Sequence, residues 1–390
     1  MKHYISRVIV ACMLVIMLVA SGCGSGSTTQ SDKGNVDSKE PNATQTTENG
    51  EVDSDDIADV SDSDKTDLED NDENDGLIKI GFAQVGHESD WRTASSASAQ
   101  DVFSQVNGYE LLFADSDNNA DEQLSVVRDF IEEKVDYLVI DPILPTGWDV
   151  VLEEAKVAGI PVFIIDRTIE CDEDLYVAWY GSDFEKEGKA AAEWLKKYIE
   201  AKEKSDESLR IVTITGNKGS SAQKGRSKGF TKIAEKQANW ELLGEKDGEF
   251  TEQGGKKAME AFLKSYDDID VVVCQNDNEA WGAMEALDAE NISYGVNGKV
   301  IIISFDAVRD GLIDVMAGRI NADFECNPLA APYIAEAIQL MEAGGTIENK
   351  TNYIDESCFQ SDNLVKSIEV DGEKIKMITV NDEVLANRVY

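Results

Sequence analysis

IKIGFAQVGHESDWRTA, residues Ile78–Ala94, passes from an apolar run through a polar loop into a small-residue helical pattern. Leu77–Phe82 reads as a short strand, and Trp91 opens a helix that continues to about Val106. In an open α/β sheet, a loop leaving the carboxyl end of a strand for a helix N-terminus faces the crevice where ligands bind. This loop carries Gln84, His87, Glu88, Ser89, Asp90, Trp91 and Arg92. Many hydrogen-bonding groups beside one flat aromatic face suit a small neutral polyol such as a sugar. The competing reading is a solvated loop with Trp91 turned into the core.

The same alternation runs outward along the chain. Strands are expected at Glu110–Ala114, Tyr137–Ile140 and Pro161–Ile165, with helices at Asp121–Glu133 and Gly147–Ala158 between them. Leu124, Val127, Phe130 and Ile131 share one helical face, which is core packing rather than a cofactor box. A second series begins after Gly181-Ser182-Asp183. Its strands are Arg210–Thr215, Val271–Cys274, Val300–Ser304 and one near Asn321–Glu325, and its helices include Ser221–Lys236, Glu252–Ser265 and Glu279–Ala289. Continuous apolar strands mark a parallel sheet covered on both faces. The expected fold is therefore α/β, two doubly wound parallel-sheet domains in tandem, with the helix Leu329–Gly345 crossing back to the first. Val365–Val370 and Lys374–Val380, around Asp371-Gly372, read as an extra β-hairpin. No Gly-rich phosphate loop is present: Gly181–Gly188 and Gly216–Gly219 have neither spacing.

Polar residues collect where these strands end. Val162–Ile165 runs into Asp166-Arg167, Val271–Cys274 into Gln275-Asn276-Asp277-Asn278, Ile301–Ser304 into Phe305-Asp306, and Asp323-Phe324 into Glu325. An acid accepts from adjacent hydroxyls while a neighbouring arginine donates to the same oxygens. Asp277 and Asp306 equally fit helix N-caps, and Arg226 fits a surface position on a helix.

At the start of the chain, Lys2, His3 and Arg7 flank the apolar run Val8–Ala20, followed by Ser21-Gly22-Cys23. This pattern is that of a secretory signal, residues 1–22, too short to span a membrane. Cys23 after small residues resembles the lipobox of bacterial lipoproteins, which makes it the expected lipidation site. Residues 23–76 then carry 17 acidic and 3 basic residues and no aromatic, a composition that cannot bury a core and reads as an extended acidic tether. The formal net charge of the whole chain is −41. Nucleic acid and anionic membrane surfaces, which need Lys and Arg patches, are not expected as partners on this ground. Cys171, Cys274, Cys326 and Cys358 match no metal-ligand spacing, and the chain holds only His3 and His87. No metal or cofactor is expected; one or two disulfides, or free thiols, are both open.

At GFAQVGHESDWR, FADSDNNADEQLSVVRDFI, DPILPTGWDVVLEEAKVAGIPVFIIDR, KGRSKGF, DGEF, QNDNEAWGA and ISFDAV, the chain resembles the type I periplasmic sugar-binding proteins of the ribose and galactose group. The likeness is strongest to their galactofuranose-binding branch and covers about Leu77–Tyr353. It implies lobes of residues 77–182 plus 327–352 and 183–326 plus 353–390, joined by three crossovers near Ser182, Cys326 and Tyr353. It further implies that Glu88, Trp91, Arg92, Asp115, Asp166 and Arg167 line the first lobe's half of a cleft, with Trp148 beside the mouth. Arg226, Asn276, Asp306 and Glu325 would line the second half. Asp90, Trp179-Tyr180 and Asn278 depart from that pattern.

The function implied is capture of a monosaccharide, galactofuranose first, by a lipid-anchored monomer that closes on its ligand and delivers it to the permease of an ABC importer. A sensor reporting to a chemoreceptor or histidine kinase is the alternative. An enzyme would need Asp166 and Glu325 to act as a glycosidase acid/base pair, with their pKa values pushed apart.

Overall fold

Strand segments that are apolar at every position are buried at every position in the computed structural model: Tyr137–Ile140, Val162–Ile165 and Val271–Cys274. The structure describes residues 76–390. The expected signal, Cys23 and all but the last residue of the tether lie outside the described residues. In chain order the first elements are β1 (Ile78–Gln84), α1 (Asp90–Val102), β2 (Tyr109–Asp115), α2 (Ala120–Glu132), β3 (Tyr137–Ile140), α3 (Asp149–Ala158), β4 (Val162–Ile165) and β5 (Ala178–Gly181). Then come α4 (Phe184–Ala201), β6 (Leu209–Thr215), α5 (Ser221–Ala234), β7 (Trp240–Asp247), α6 (Glu252–Leu263), β8 (Val271–Cys274), α7 (Asp277–Ala289), β9 (Ile301–Asp306), α8 (Arg309–Ala317) and β10 (Ala322–Glu325). The last are α9 (Ala331–Glu342), β11 (Thr351–Tyr353), β12 (Cys358–Gln360), β13 (Ser367–Val370), β14 (Glu373–Thr379) and α10 (Asp382–Asn387).

These strands form two sheets, one in each lobe. The first, in order β11-β5-β4-β3-β1-β2, is parallel throughout. Along β3, Tyr137 and Val139 face a core shared with α9, while Leu138 and Ile140 face one shared with α2 and α3. The period of two thus loads both faces of the sheet. The second sheet has the order β13-β14-β12-β10-β9-β8-β6-β7. It is parallel from β10 to β7, whereas β12 pairs antiparallel with β10.

The chain passes between sheets after β5, after β10 and after β11. Ser182 Oγ lies 3.2 Å from Cys326 Sγ and donates to Glu356, whose Oε1 also accepts from the Asn327 amide. All three passages therefore join a single knot. Among the described residues all four cysteines are free, so no disulfide locks this hinge. No helix among them is long and apolar enough to cross a membrane.

The expected hairpin forms, as β13 and β14, whereas β5, β7, β11, β12 and α10 are not expected from the sequence. β7 is an edge strand with most positions exposed or half-buried, so it carries no apolar run to betray it. The hairpin turns at Asp371 and Gly372, both at positive φ, as its sequence requires. It is not a free appendage, however, because β14 pairs parallel with β12 and extends the second sheet. Helix α10, capped by Asn381, follows it and leads the chain back toward the lobe interface.

Candidate functional site

In each lobe a buried arginine is clamped by acids at the carboxyl ends of the strands. In the first lobe it is Arg92, on the opening turn of α1, whose backbone N–H is capped by Ser89. Its Nε donates to Glu88 Oε1 at 3.2 Å, Nη2 to Asp166 Oδ2 at 3.3 Å, and Nη1 to Asp141 and to Gln84 Oε1 at 3.3 Å. Burial works against the Glu88 charge, yet Arg92 and Arg167 hold its carboxyl below the usual range. Burial pushes Asp141 well up despite Arg92. Burial, then the neighbouring Arg92, lowers the Arg167 guanidinium. Arg167 Nη1 donates to the Ile143 carbonyl at 3.3 Å and Nη2 to Asn217 of the other lobe at 3.4 Å. Its buried Nε has no hydrogen-bond partner, nor has Glu88 Oε2.

The second lobe's arginine is Arg226, on α5. Helices α4 and α5 cross so closely that a Cβ on Gly188 would sit 2.2 Å from the Arg226 carbonyl oxygen. That approach lets Arg226 Nε reach Glu187 Oε2 on α4 at 2.6 Å. Nη2 donates to Asp306 Oδ1 at 3.1 Å and Nη1 to the Gln275 carbonyl. Burial pushes Asp306 up to about 8 and Glu187 up to about 7, each against the pull of Arg226. Near neutrality Asp306, which lines the cleft, therefore offers a donor as well as an acceptor oxygen, while Glu187 borders the cavity behind the hinge. Three aromatic faces complete the walls: Trp91, Phe184 and Phe250, gathered with Cys326 in one apolar cluster. A Cβ on Gly216 would lie 1.9 Å from the Phe250 ring, so only glycine there leaves the ring its place. Asp166, Phe250 and Asp306 all have positive φ, at 55°, 58° and 91°. Such backbone strain gathers where a side chain must be aimed.

The two walls meet. Trp91 Nε1 donates to the Cys326 carbonyl at 2.6 Å, and Thr168 N to Ser221 Oγ at 3.0 Å. Asp90 and Asn278, two residues outside the family pattern, bind each other across the lip: Asp90 N to Asn278 Oδ1 at 3.2 Å and Asn278 Nδ2 to Asp90 Oδ2 at 2.7 Å. An acid at position 278 would repel Asp90; the amide bridges to it. The cavity left is about 20 Å³, close to the smallest that holds a water. The lobes are thus drawn together, and a ligand enters by their opening.

The sequence pattern of the periplasmic binding protein domain matches residues 80–335. The chain belongs to the periplasmic binding protein family. A galactofuranose-binding protein of Escherichia coli is 31% identical over 75% of this chain and 91% of its own length. A Mycobacterium smegmatis protein solved with β-D-fucofuranose is 36% identical, with a TM-score of 0.70 over 74% of this chain and 93% of that one. The binding component of an arabinose ABC transporter from a Shewanella species, bound to α- and β-L-arabinofuranose, is 32% identical, with a TM-score of 0.68 over 72% and 91%. The fold is the type I fold of this family, and the chain is a binding protein, not an enzyme.

In this periplasmic binding protein Glu88, Trp91, Arg92, Asp166, Arg167, Arg226, Asn276 and Asp306 line the one cleft. Asn276 is nonetheless largely committed to structure. Its Oδ1 caps α7 at the Glu279 amide, 2.8 Å, and its Nδ2 donates to the Phe250 carbonyl at 3.0 Å. The cap that the sequence offered to Asp277 falls to Asn276, and Asp277 accepts instead from Ser304 Oγ at 2.6 Å and Val308 N at 2.9 Å.

Three expected residues lie elsewhere. Asp115 is exposed and holds His87 Nδ1 at 2.8 Å. Trp148 is 2% exposed in the core under α2 and α3, its indole N–H given to the Leu144 carbonyl at 2.8 Å. Glu325 lines a separate cavity of about 470 Å³ behind the hinge. There it is saturated by Arg388, Tyr390 and the Ser357 amide. The acid/base pair of Asp166 with Glu325 is therefore not assembled in the cleft.

The sequence reading missed Asp141, Glu187, Phe184 and Phe250. Asp141 follows strand β3 directly, the same signal that marked Asp166. Glu187 sits in the first turn of α4 among Glu185, Lys186 and Lys189, where an acid is ordinary and nothing local separates it from a solvated face.

Proposed function

We propose that this protein captures a monosaccharide in its furanose form by hinge closure and delivers it to an ABC importer, held at the membrane by lipid on Cys23. The observation that carries the reading is the pair of arginine–carboxylate clusters facing one another in a single cleft, with the buried Arg167 Nε making no hydrogen bond and only a 4.0 Å ion pair to Asp166. Donors and acceptors alternating at short range suit hydroxyls, each of which is both, and Trp91 and Phe250 offer flat apolar faces to the C–H side of a ring. Three similar proteins named above are tied to galactofuranose, fucofuranose and arabinofuranose, which favours a five-membered ring.

Thermal unfolding of residues 77–390 against L-arabinose, D-fucose, D-ribose and furanose-enriched D-galactose tests this. A sugar a thousandfold above its Kd adds about 4 kcal/mol, on the order of 10 °C for a chain this long. One sugar is expected to stand out by orders of magnitude, because analogues leave buried groups unpaired. A flat response across the panel would overturn the reading. Uptake of the same sugar, lost on deletion of the gene, separates import from sensing.

The anchor has its own test. Cys23→Ser is expected to move the protein from the membrane fraction to the medium. Equal release of the unaltered protein would count against lipidation.

A further inference from the structure

The stretch that follows α10 reaches back to the aromatic cluster that walls the cleft. Arg388 Nη1 donates to Glu325 Oε1 at 2.5 Å, and the Tyr390 hydroxyl donates to the same oxygen at 2.5 Å. The Ser357 amide takes Glu325 Oε2 at 2.7 Å. Arg388 Nη2 reaches the Asp306 carbonyl at 3.4 Å, and the Tyr390 carbonyl accepts from the Arg309 amide at 2.8 Å. Residues 306 and 309 are the two ends of the turn that leaves β9 for α8, and Arg388 and Tyr390 bracket it.

That turn is strained. Asp306 and Ala307 take φ values of 91° and 54°, a conformation that side-chain-bearing residues hold only where their surroundings enforce it. Asp323 Oδ1 fixes the Ala307 amide at 3.1 Å and Asp277 Oδ2 the Val308 amide. The Asp306 carbonyl itself is held by Arg388. The Arg388 guanidinium lies 3.9 Å from the centre of the Tyr390 ring, so the two side chains brace each other. Tyr390 also packs on the cluster containing Trp91 and Phe250.

We propose that Arg388 and Tyr390 are positioning residues of the sugar site, which occupy Glu325 and hold the Asp306–Ala307 turn so that the Asp306 carboxyl faces the cleft beside Arg226. Without them the buried Glu325 carboxylate is left uncompensated beside the end of β9, and the turn relaxes. Burial pushes the Tyr390 hydroxyl far up, so it remains a donor at any physiological pH. The sugar-affinity part of this inference rests on the function proposed above; the part concerning the turn does not.

The test uses the whole secreted chain in three forms. Tyr390→Phe removes one hydroxyl. The double variant Arg388→Met with Glu325→Gln removes both charges together, so no buried charge is orphaned. Arg388→Lys keeps the charge but not the planar fork. Hydrogen exchange of residues 306–309 is read without sugar, and Kd is read by calorimetry with L-arabinose and furanose-enriched D-galactose. In the double variant, exchange is expected to rise at least tenfold and affinity to fall at least tenfold. Arg388→Lys is expected to recover the affinity only in part, and Tyr390→Phe to lose severalfold in affinity with the thermal midpoint almost unmoved. Should the double variant not fold, Tyr390→Phe and Arg388→Lys decide the matter by the same readouts. Unchanged exchange, or unchanged affinity in variants of a protein that binds one of these sugars, overturns the inference. If the unaltered protein binds none of the four sugars of the panel, the functional reading fails, and exchange alone still decides whether Arg388 holds the turn.

Discussion

Arg226→Met is expected to weaken sugar binding at least a hundredfold at every pH and to lower the thermal midpoint markedly at pH 8 but scarcely at pH 5. Arg226 is 3% exposed and gives hydrogen bonds to Glu187, Asp306 and the Gln275 carbonyl. A guanidinium has five N–H groups, so two remain to meet a ligand from the side facing the first lobe. Methionine fills the volume and supplies none of them. Removing one partner of a buried ion pair costs about 3–5 kcal/mol when the other is left charged. Here the partners left behind are carboxyls already pushed up to about 7 and about 8 by burial. At pH 5 both are neutral and lose little when Arg226 goes; at pH 8 they must either stay charged in the interior or take up protons against the solvent. Calorimetry gives the binding loss and melts at the two pH values give the stability loss. An equal stability loss at both would mean that the acids are ionised throughout, and native affinity would remove Arg226 from the site.

How much of this was legible in the sequence follows from where each signal is written. The apolar runs of β3, β4 and β8 are local, and a run buried on both faces can only be the middle of a covered parallel sheet. The acids and arginines after β4, β8 and β9 stand where a chain of this fold exposes strand ends to a crevice, so their position announced them. Glu187 did not announce itself because its function depends on a helix crossing at Gly188 and on a partner 39 residues away. Glu325 misled for the converse reason. It ends β10 like the others, but Arg388 and Tyr390, 63 and 65 residues further on, claim its carboxylate. Trp148 misled because a tryptophan after a Pro-Thr-Gly turn fits a mouth and a core equally, and only the packing of α2 on α3 decides between them. The bridge between Asp90 and Asn278 was visible only as two unexplained departures, which acquire a reason once the lips are side by side.

Between pH 5 and pH 8 the sugar-free protein is expected to become less stable as pH rises, the reverse of ordinary acid denaturation. Burial raises Asp306 to about 8, Glu187 to about 7 and Asp323 to about 7, and raises Asp141, Asp277, Glu279 and Glu356 as well. A carboxyl whose folded pKa lies above its unfolded value near 4 keeps a proton in the folded state that the unfolded chain has released. Its contribution to stability is complete below the unfolded value and is lost as pH climbs through the folded one, at about 1.4 kcal/mol per pH unit for each such group. His87, raised by its hydrogen bond to Asp115, acts in the same direction. The acids lowered by lysines, Glu185 to about 2 and with it Asp371, Asp174 and Asp268, have the opposite sign. Their contribution is already complete above pH 5 and is lost only in stronger acid. Self-repulsion in a chain of net charge −41 also grows with pH. Melts at pH 5, 6, 7 and 8 should show the midpoint falling at each step. A midpoint that rises instead would mean that Arg92 and Arg226 carry fully ionised partners, in which case the cleft offers acceptors, rather than a mixture of donors and acceptors, to the hydroxyls of its sugar.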